Sequence, residues 1–231
     1  TGHTMKRTIT AIAFSLILGI ITCAAQAHYT SKISIGGKAG ITLSQMSFTP
    51  SVKQSFVMGE TAGITFKYWE EKIFGLIAEV NFEQRGWKED FEEAPYSFER
   101  KLDYIQIPLL TTIFFGNKKV KGFINLGPEV GFLVGTSYSA NFDVNNIGAL
   151  PDFPDHRMTD QLTMEPTNKF DYGISGGAGI EFALKRRHLI NLEARYYFGI
   201  GNIFPDDRRD TFSASRGMSI MVTLGYSYRL K

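Results

Sequence analysis

The sequence predicts an all-β protein: an eight-stranded antiparallel up-and-down transmembrane β-barrel. Three observations carry that expectation. Eight segments alternate polar and apolar residues with period two, the connections between them take turns at being short and long, and aromatic residues gather near the segment ends. A period of two places successive side chains on opposite faces of a strand.

The segments cover about residues 31–43, 57–68, 73–85, 98–115, 120–138, 170–184, 189–200 and 217–230. In the second, Ala62, Ile64, Phe66 and Tyr68 oppose Thr61, Gly63, Thr65 and Lys67. In the third, Phe74, Leu76, Ala78, Val80 and Phe82 oppose Gly75, Glu79, Asn81, Glu83 and Arg85. The seventh sets Ile190, Leu192, Ala194, Tyr196 and Phe198 against Asn191, Glu193, Arg195 and Gly199, and the eighth repeats the pattern from Met218 to Tyr228. One face is apolar and the other is small, polar or charged.

A soluble sandwich or lipocalin alternates too, with its apolar face turned inward, so the connections decide between them. The stretches WEEK, GNKK and KRRH make tight turns, whereas residues 44–56, 86–97, 139–169 and 201–216 form longer connections. Transmembrane barrels show this asymmetry, with short periplasmic turns and long external loops. Tyr68, Trp69, Phe74, Phe114, Phe115, Tyr196, Tyr197, Phe198, Tyr226 and Tyr228 are expected to form girdles at headgroup depth.

The sixth segment, FDYGISGGAGIEFAL, raises a nucleotide reading because it is glycine-rich. Phe182 stands where the third glycine of G-x-G-x-x-G belongs, and a period-two segment follows instead of a helix, so the fingerprint is not met. In a barrel its inward glycines, among them Gly177 and Gly179, leave room for long side chains from the opposite wall, because eight strands enclose only a side-chain-wide interior. Gly176, on the outer face, marks curvature.

Ahead of this pattern, TGHT precedes Met5; then come Lys6 and Arg7, an apolar run from Ile9 to Ile21, and a small-x-small close at AQA, residues 25–27. Residues 1–27 therefore read as upstream residues and a cleaved signal peptide, with residues 28–231 the outer-membrane barrel domain. Cys23 offers a rival, a lipid-modified terminus, against which stands the bulk of Thr22. With the signal removed, no cysteine is left to form a disulfide. Loss of Lys6 and Arg7 from the 25 basic residues balances the 23 acidic ones, so the basic pI is no argument for nucleic acid.

Parity points a charge network into the lumen: acids Glu79, Glu83, Glu129, Asp171, Glu181 and Glu193, and bases Lys38, Lys67, Arg85, Lys121 and Arg195. Unpaired charge in a narrow, dry interior is costly, so opposite signs should pair and fill it. The competing reading is a small-solute channel in which the same charges line water. No catalytic, cofactor-binding or metal site is assigned. Of His28, His156 and His188, none sits on a lipid-facing strand beside a serine, as a lipid-modifying hydrolase would need.

The longest connection supplies a candidate recognition loop in Asp152, Asp155, His156, Arg157 and Asp160. Its spacing matches no EF-hand or zinc pattern. The final loop, FPDDRRD, alternates sign in a way that can dock a partner or lipopolysaccharide.

At YIQIPLL, NLGPEVGFLVG, FDYGISGGAGIEF and NLEARYYFGIGNI, in that order, the chain resembles the outer-membrane β-barrel domain family of Bacteroidetes, the PorT-like or porin family. The resemblance implies a barrel in the bacterial outer membrane and no family catalytic motif. It implies that Pro108 sits in a strand at a bulge or an open hydrogen-bond position, since a central strand otherwise rejects proline. Some family members belong to protein secretion machinery. GYSYRL loosely resembles the terminal signal read by the barrel assembly machinery, although the chain ends in Leu230 and Lys231. The expected function is non-enzymatic: a barrel with a filled lumen, embedded in outer-membrane lipid, whose loops bind a partner protein or surface ligand, as in a secretion or envelope assembly.

Overall fold

The computed structural model describes residues 32–69, 73–92, 94–117, 119–154, 157–184, 187–205 and 210–230. Nine strands follow one another: β1 (Lys32–Thr49), β2 (Gln54–Ser55), β3 (Val57–Trp69), β4 (Phe74–Glu89), β5 (Phe98–Gly116), β6 (Val120–Ala140), β7 (Phe170–Ala183), β8 (His188–Gly199) and β9 (Ala214–Arg229). Between β6 and β7 lie a 3-10 turn at Ile147–Ala149 and a short helix, α1 (Asp160–Thr163).

Eight long strands pair antiparallel in the order β4-β3-β1-β9-β8-β7-β6-β5, and β5 pairs back onto β4, so the sheet closes into a ring. Closure leaves no long edge of unpaired backbone groups, which is the condition for strands to cross hydrocarbon. The ninth strand is an addition to the eight expected: Gln54 and Ser55 pair with Glu89 and Lys88 at the loop end of β4. Sequence periodicity misses it because two residues define no period.

The long strands also overrun their expected ends on the loop side. β1 continues through Thr49, β4 through Glu89 and β6 through Ala140. Polar outward residues such as Gln45 and Lys88 break the apolar alternation there, but the hydrogen-bonded ladder persists.

Side chains sort by face as the pleat requires. Ile35, Ile41, Ile64, Phe66, Val80, Ile124, Leu192 and Leu224 are exposed on the outer face, while Ser34, Thr42, Thr65, Asn81, Thr112 and Thr223 are buried on the inner one. At Pro108 the β4–β5 ladder is open, with no registered pairing between Ala78/Leu109 and Asn81/Gln106. The bulge lies elsewhere, at Asp103/Tyr104. A missing N–H is thus accommodated by an unpaired rung.

The glycine face of β7 has a different occupant from the one expected. A Cβ on Gly173 would meet the Tyr197 ring at 2.8 Å, and one on Gly179 would meet the Phe123 ring more closely still. These rings come from β8 and β6, the adjacent strands, and not from across the barrel. Gly176 is covered by Leu126, whose Cδ1 would lie 3.2 Å from an added Cβ.

The girdle also needs correction. Trp69, Phe114 and Tyr197 are buried on the inner face. Consecutive residues on a strand face opposite ways, so of Tyr68/Trp69, Phe114/Phe115 and Tyr196/Tyr197 only one member each can meet lipid. Tyr196, Phe115, Phe74, Phe198 and Tyr226 are exposed on the outside.

Candidate functional site: the lumen and the loop end

From the turn end to the loop end, the lumen is a stack of layers. The first is apolar: Trp69, Phe114, Phe123 and Leu189 form one buried cluster. Lys67 Nζ donates to Glu181 Oε2 at 3.1 Å just inside it, with the Phe123 ring 5.9 Å away. Lys121, the remaining base of the set, is half-buried and lies 5.4 Å from the Phe114 ring.

The second layer centres on Glu79. Lys38 Nζ donates to Glu79 Oε2 at 2.6 Å, and the Arg195 guanidinium forks onto both Glu79 oxygens at 2.8 and 3.2 Å. Arg195 Nε also reaches Glu193 Oε1 at 2.8 Å, which accepts from Asn125 Nδ2 at 2.7 Å. Two cations face two carboxylates. Planar two-point pairing of this kind is where arginine exceeds lysine.

The third layer centres on Arg85. Its Nη2 donates to Glu83 at 3.1 Å and Glu129 at 2.9 Å, and its Nη1 to Asp171 at 3.1 Å. One cation here faces three carboxyl groups, so neutral donors share the load: Ser219 Oγ to Glu83 at 2.9 Å, Tyr197 Oη to Asp171 at 2.9 Å, and Ser175 Oγ to Glu129. The Arg85 Cζ sits 3.8 Å from the Tyr197 ring centroid. Buried charge persists only with such geometric satisfaction.

The fourth layer closes the loop end. Phe48, Trp87, Phe98, Phe204 and Phe212 join Leu162 of α1 in one buried cluster. Arg100 spans it, donating to the Leu162 carbonyl at 3.3 Å and to the Met164 carbonyl, with the Trp87 ring 5.6 Å away. Glu89, also buried, accepts from Trp87 Nε1 at 3.2 Å, from Gln161 Nε2 at 3.1 Å and from Arg157.

The candidate recognition residues thus divide. Arg157 ties the loop down: it pairs with Glu89, donates to the Lys53 and Asp90 carbonyls and lies 4.4 Å from the Phe91 ring. Asp152 and Asp160 are exposed. Asp155 and His156 lie outside the described residues. A surface cavity of about 270 Å³ opens beside this anchor, lined by Ser51, Val52, Lys53, Glu92, Pro154, Arg157 and Met158. Among the described residues no group of three or more His, Cys, Asp or Glu is arranged to hold a metal ion.

Sequence reading missed Glu89, Arg100 and Trp87, and put Tyr197 in the girdle instead of the lumen. Parity could have found them, since Glu89 and Trp87 continue the inward series of Glu83 and Arg85, and Arg100 shares the parity of Leu102 and Tyr104. Glu89 and Trp87 were hidden because β4 runs past its expected end, at residue 85.

Residues 24–205 match the sequence profile of the outer membrane protein beta-barrel domain. The chain belongs to that family. It lies in the outer membrane, and the exposed apolar belt faces lipid. Among solved structures it is similar to the outer membrane protein OprG from Pseudomonas aeruginosa, at 14% identity over 89% of this chain and 98% of that one, with a TM-score of 0.51. Neisserial surface protein A gives 12% identity over 85% and 97% of the two chains, TM-score 0.44. Outer membrane protein W of E. coli gives 14% over 87% and 99%, TM-score 0.41. Comparison with curated protein sequences finds no match.

Proposed function

We propose that this outer-membrane barrel is non-enzymatic, that its filled lumen carries no solute, and that its loop end binds a partner protein or surface ligand within a secretion or envelope assembly. The observation that carries this reading is the layering: apolar clusters lie across both ends of a lumen whose interior is occupied by ion pairs. An eight-stranded ring has room for side chains and little else. The exposed Asp152 and Asp160, on a loop fastened by Arg157 and Arg100, are the recognition residues of this reading. The PorT-like stretches favour a Bacteroidetes origin and, with GYSYRL, delivery through the barrel assembly machinery. Lipopolysaccharide is the surface ligand closest to hand.

Planar-bilayer recording of the purified protein tests the lumen. No stable unitary conductance is expected, whereas one would establish the small-solute channel instead. Mild-detergent pull-down tests the loop end: a partner should be retained and lost on Asp152→Asn/Asp160→Asn substitution. Residues 1–27 are read as upstream residues plus a signal, so the exported chain should begin at His28. A chain starting at a lipid-modified Cys23 would replace that reading.

A further inference from the structure

We infer that the short-turn end of the barrel is a docking surface for the anionic phospholipid headgroups of the leaflet that it faces. The inference rests on outer-membrane placement and not on the role proposed for the loops. Lys32 opens β1, Arg187 lies in the β7–β8 turn, Lys119 lies in the β5–β6 turn and Lys121 is the second residue of β6. The ring order β1-β9-β8-β7-β6 makes these positions one continuous arc. Among the described residues at that end the one carboxylate is Glu181, which is buried and held by Lys67. Lys121 lies within electrostatic reach of Glu181 and also of Arg229 and Lys32. Like charges gathered on one rim raise the local potential and draw anions.

The loop end is built otherwise. There Lys53 pairs with Glu92, Lys101 with Glu99 and Arg157 with Glu89. The cationic arc is therefore a property of one end and not of the whole chain.

The lipid face says what kind of anion fits. Arg187 Nη1 donates to the Tyr228 hydroxyl at 3.2 Å, and His188 Nδ1 lies 2.7 Å from the hydroxyl of Tyr226, which is exposed on the lipid side beside Leu224. Tyrosines at this position sit at headgroup depth. A guanidinium bonded to such a hydroxyl is at the depth of the phosphates, and Lys32 and Lys119 extend the rim on either side. An acidic soluble protein would have to be met below that level.

The test uses the full protein in vesicles of phosphatidylcholine containing spin-labelled phosphatidylglycerol or spin-labelled phosphatidylcholine. The wild type should immobilise the anionic label in preference. Lys32→Gln/Lys119→Gln/Arg187→Gln should lower that preference on the order of tenfold, and added salt should lower it in the wild type. Lys88→Gln/Lys101→Gln at the loop end should leave it unchanged. Heat-modifiable gel mobility checks folding, and Lys119→Gln alone, in a turn, serves if the triple variant fails to assemble. Equal immobilisation of both labels by the wild type overturns the inference, as does a preference undiminished in the variant. Binding of polyglutamate without any lipid preference would assign the surface to an acidic protein and overturn it too.

Discussion

The Glu79 layer and the Arg85 layer lie side by side in one lumen and solve the same problem differently. Around Glu79, Lys38 and Arg195 face Glu79 and Glu193, so the layer neutralises itself. Around Arg85, a single guanidinium serves Glu83, Glu129 and Asp171, and the rest of the satisfaction comes from Ser175, Ser219 and Tyr197. A balanced layer that loses one cation keeps another beside its carboxylates. A layer with a single cation keeps none.

The largest effect is therefore expected from Arg85→Ala, which strands three buried carboxyl groups. Removing one partner of a buried pair costs about 3–5 kcal/mol, so this variant should unfold at clearly lower urea or fail to reach the folded, heat-modifiable form. Arg195→Ala should cost less, by about 1–2 kcal/mol relative to that range, because it strands one buried carboxylate, Glu193, instead of three, and Lys38 still holds Glu79. Equal losses in the two variants would break the comparison. Tyr197→Phe keeps the ring over Arg85 and deletes only the hydrogen bond to Asp171, so a loss of about 1–3 kcal/mol is expected. Smallest on global stability is Arg157→Gln, at about 1–2 kcal/mol, because the buried Glu89 loses its cation but still accepts from Trp87 and Gln161. Its readout is local: limited proteolysis should cut the β6–β7 connection sooner while the barrel stays intact.

Much of this was legible in the sequence, for a physical reason. Where one face meets lipid and the other meets a packed polar interior, every residue is forced to declare its side, so the period-two pattern gives the strands and their inward charges. Elements that answer to neither constraint stayed hidden. β2 is too short for a period, and the upper part of β4, which carries Trp87 and Glu89, stands beyond the end that periodicity sets. The placement of Trp69, Phe114 and Tyr197 was misread because aromatic residues suit both a headgroup girdle and a lumen plug, and only strand parity tells them apart. Which carboxylate meets which cation depends on contacts such as Lys67 with Glu181 and Arg195 with Glu79, more than a hundred residues apart in the chain. No local pattern encodes those.

β5 and β6 run for 19 and 21 residues, roughly twice the length a tilted strand needs to cross hydrocarbon. The surplus stands above the lipid as a paired ribbon with its register already fixed. A binder that lands on it meets scaffolding instead of slack chain, and association there is spared most of the entropy loss that a floppy loop would impose.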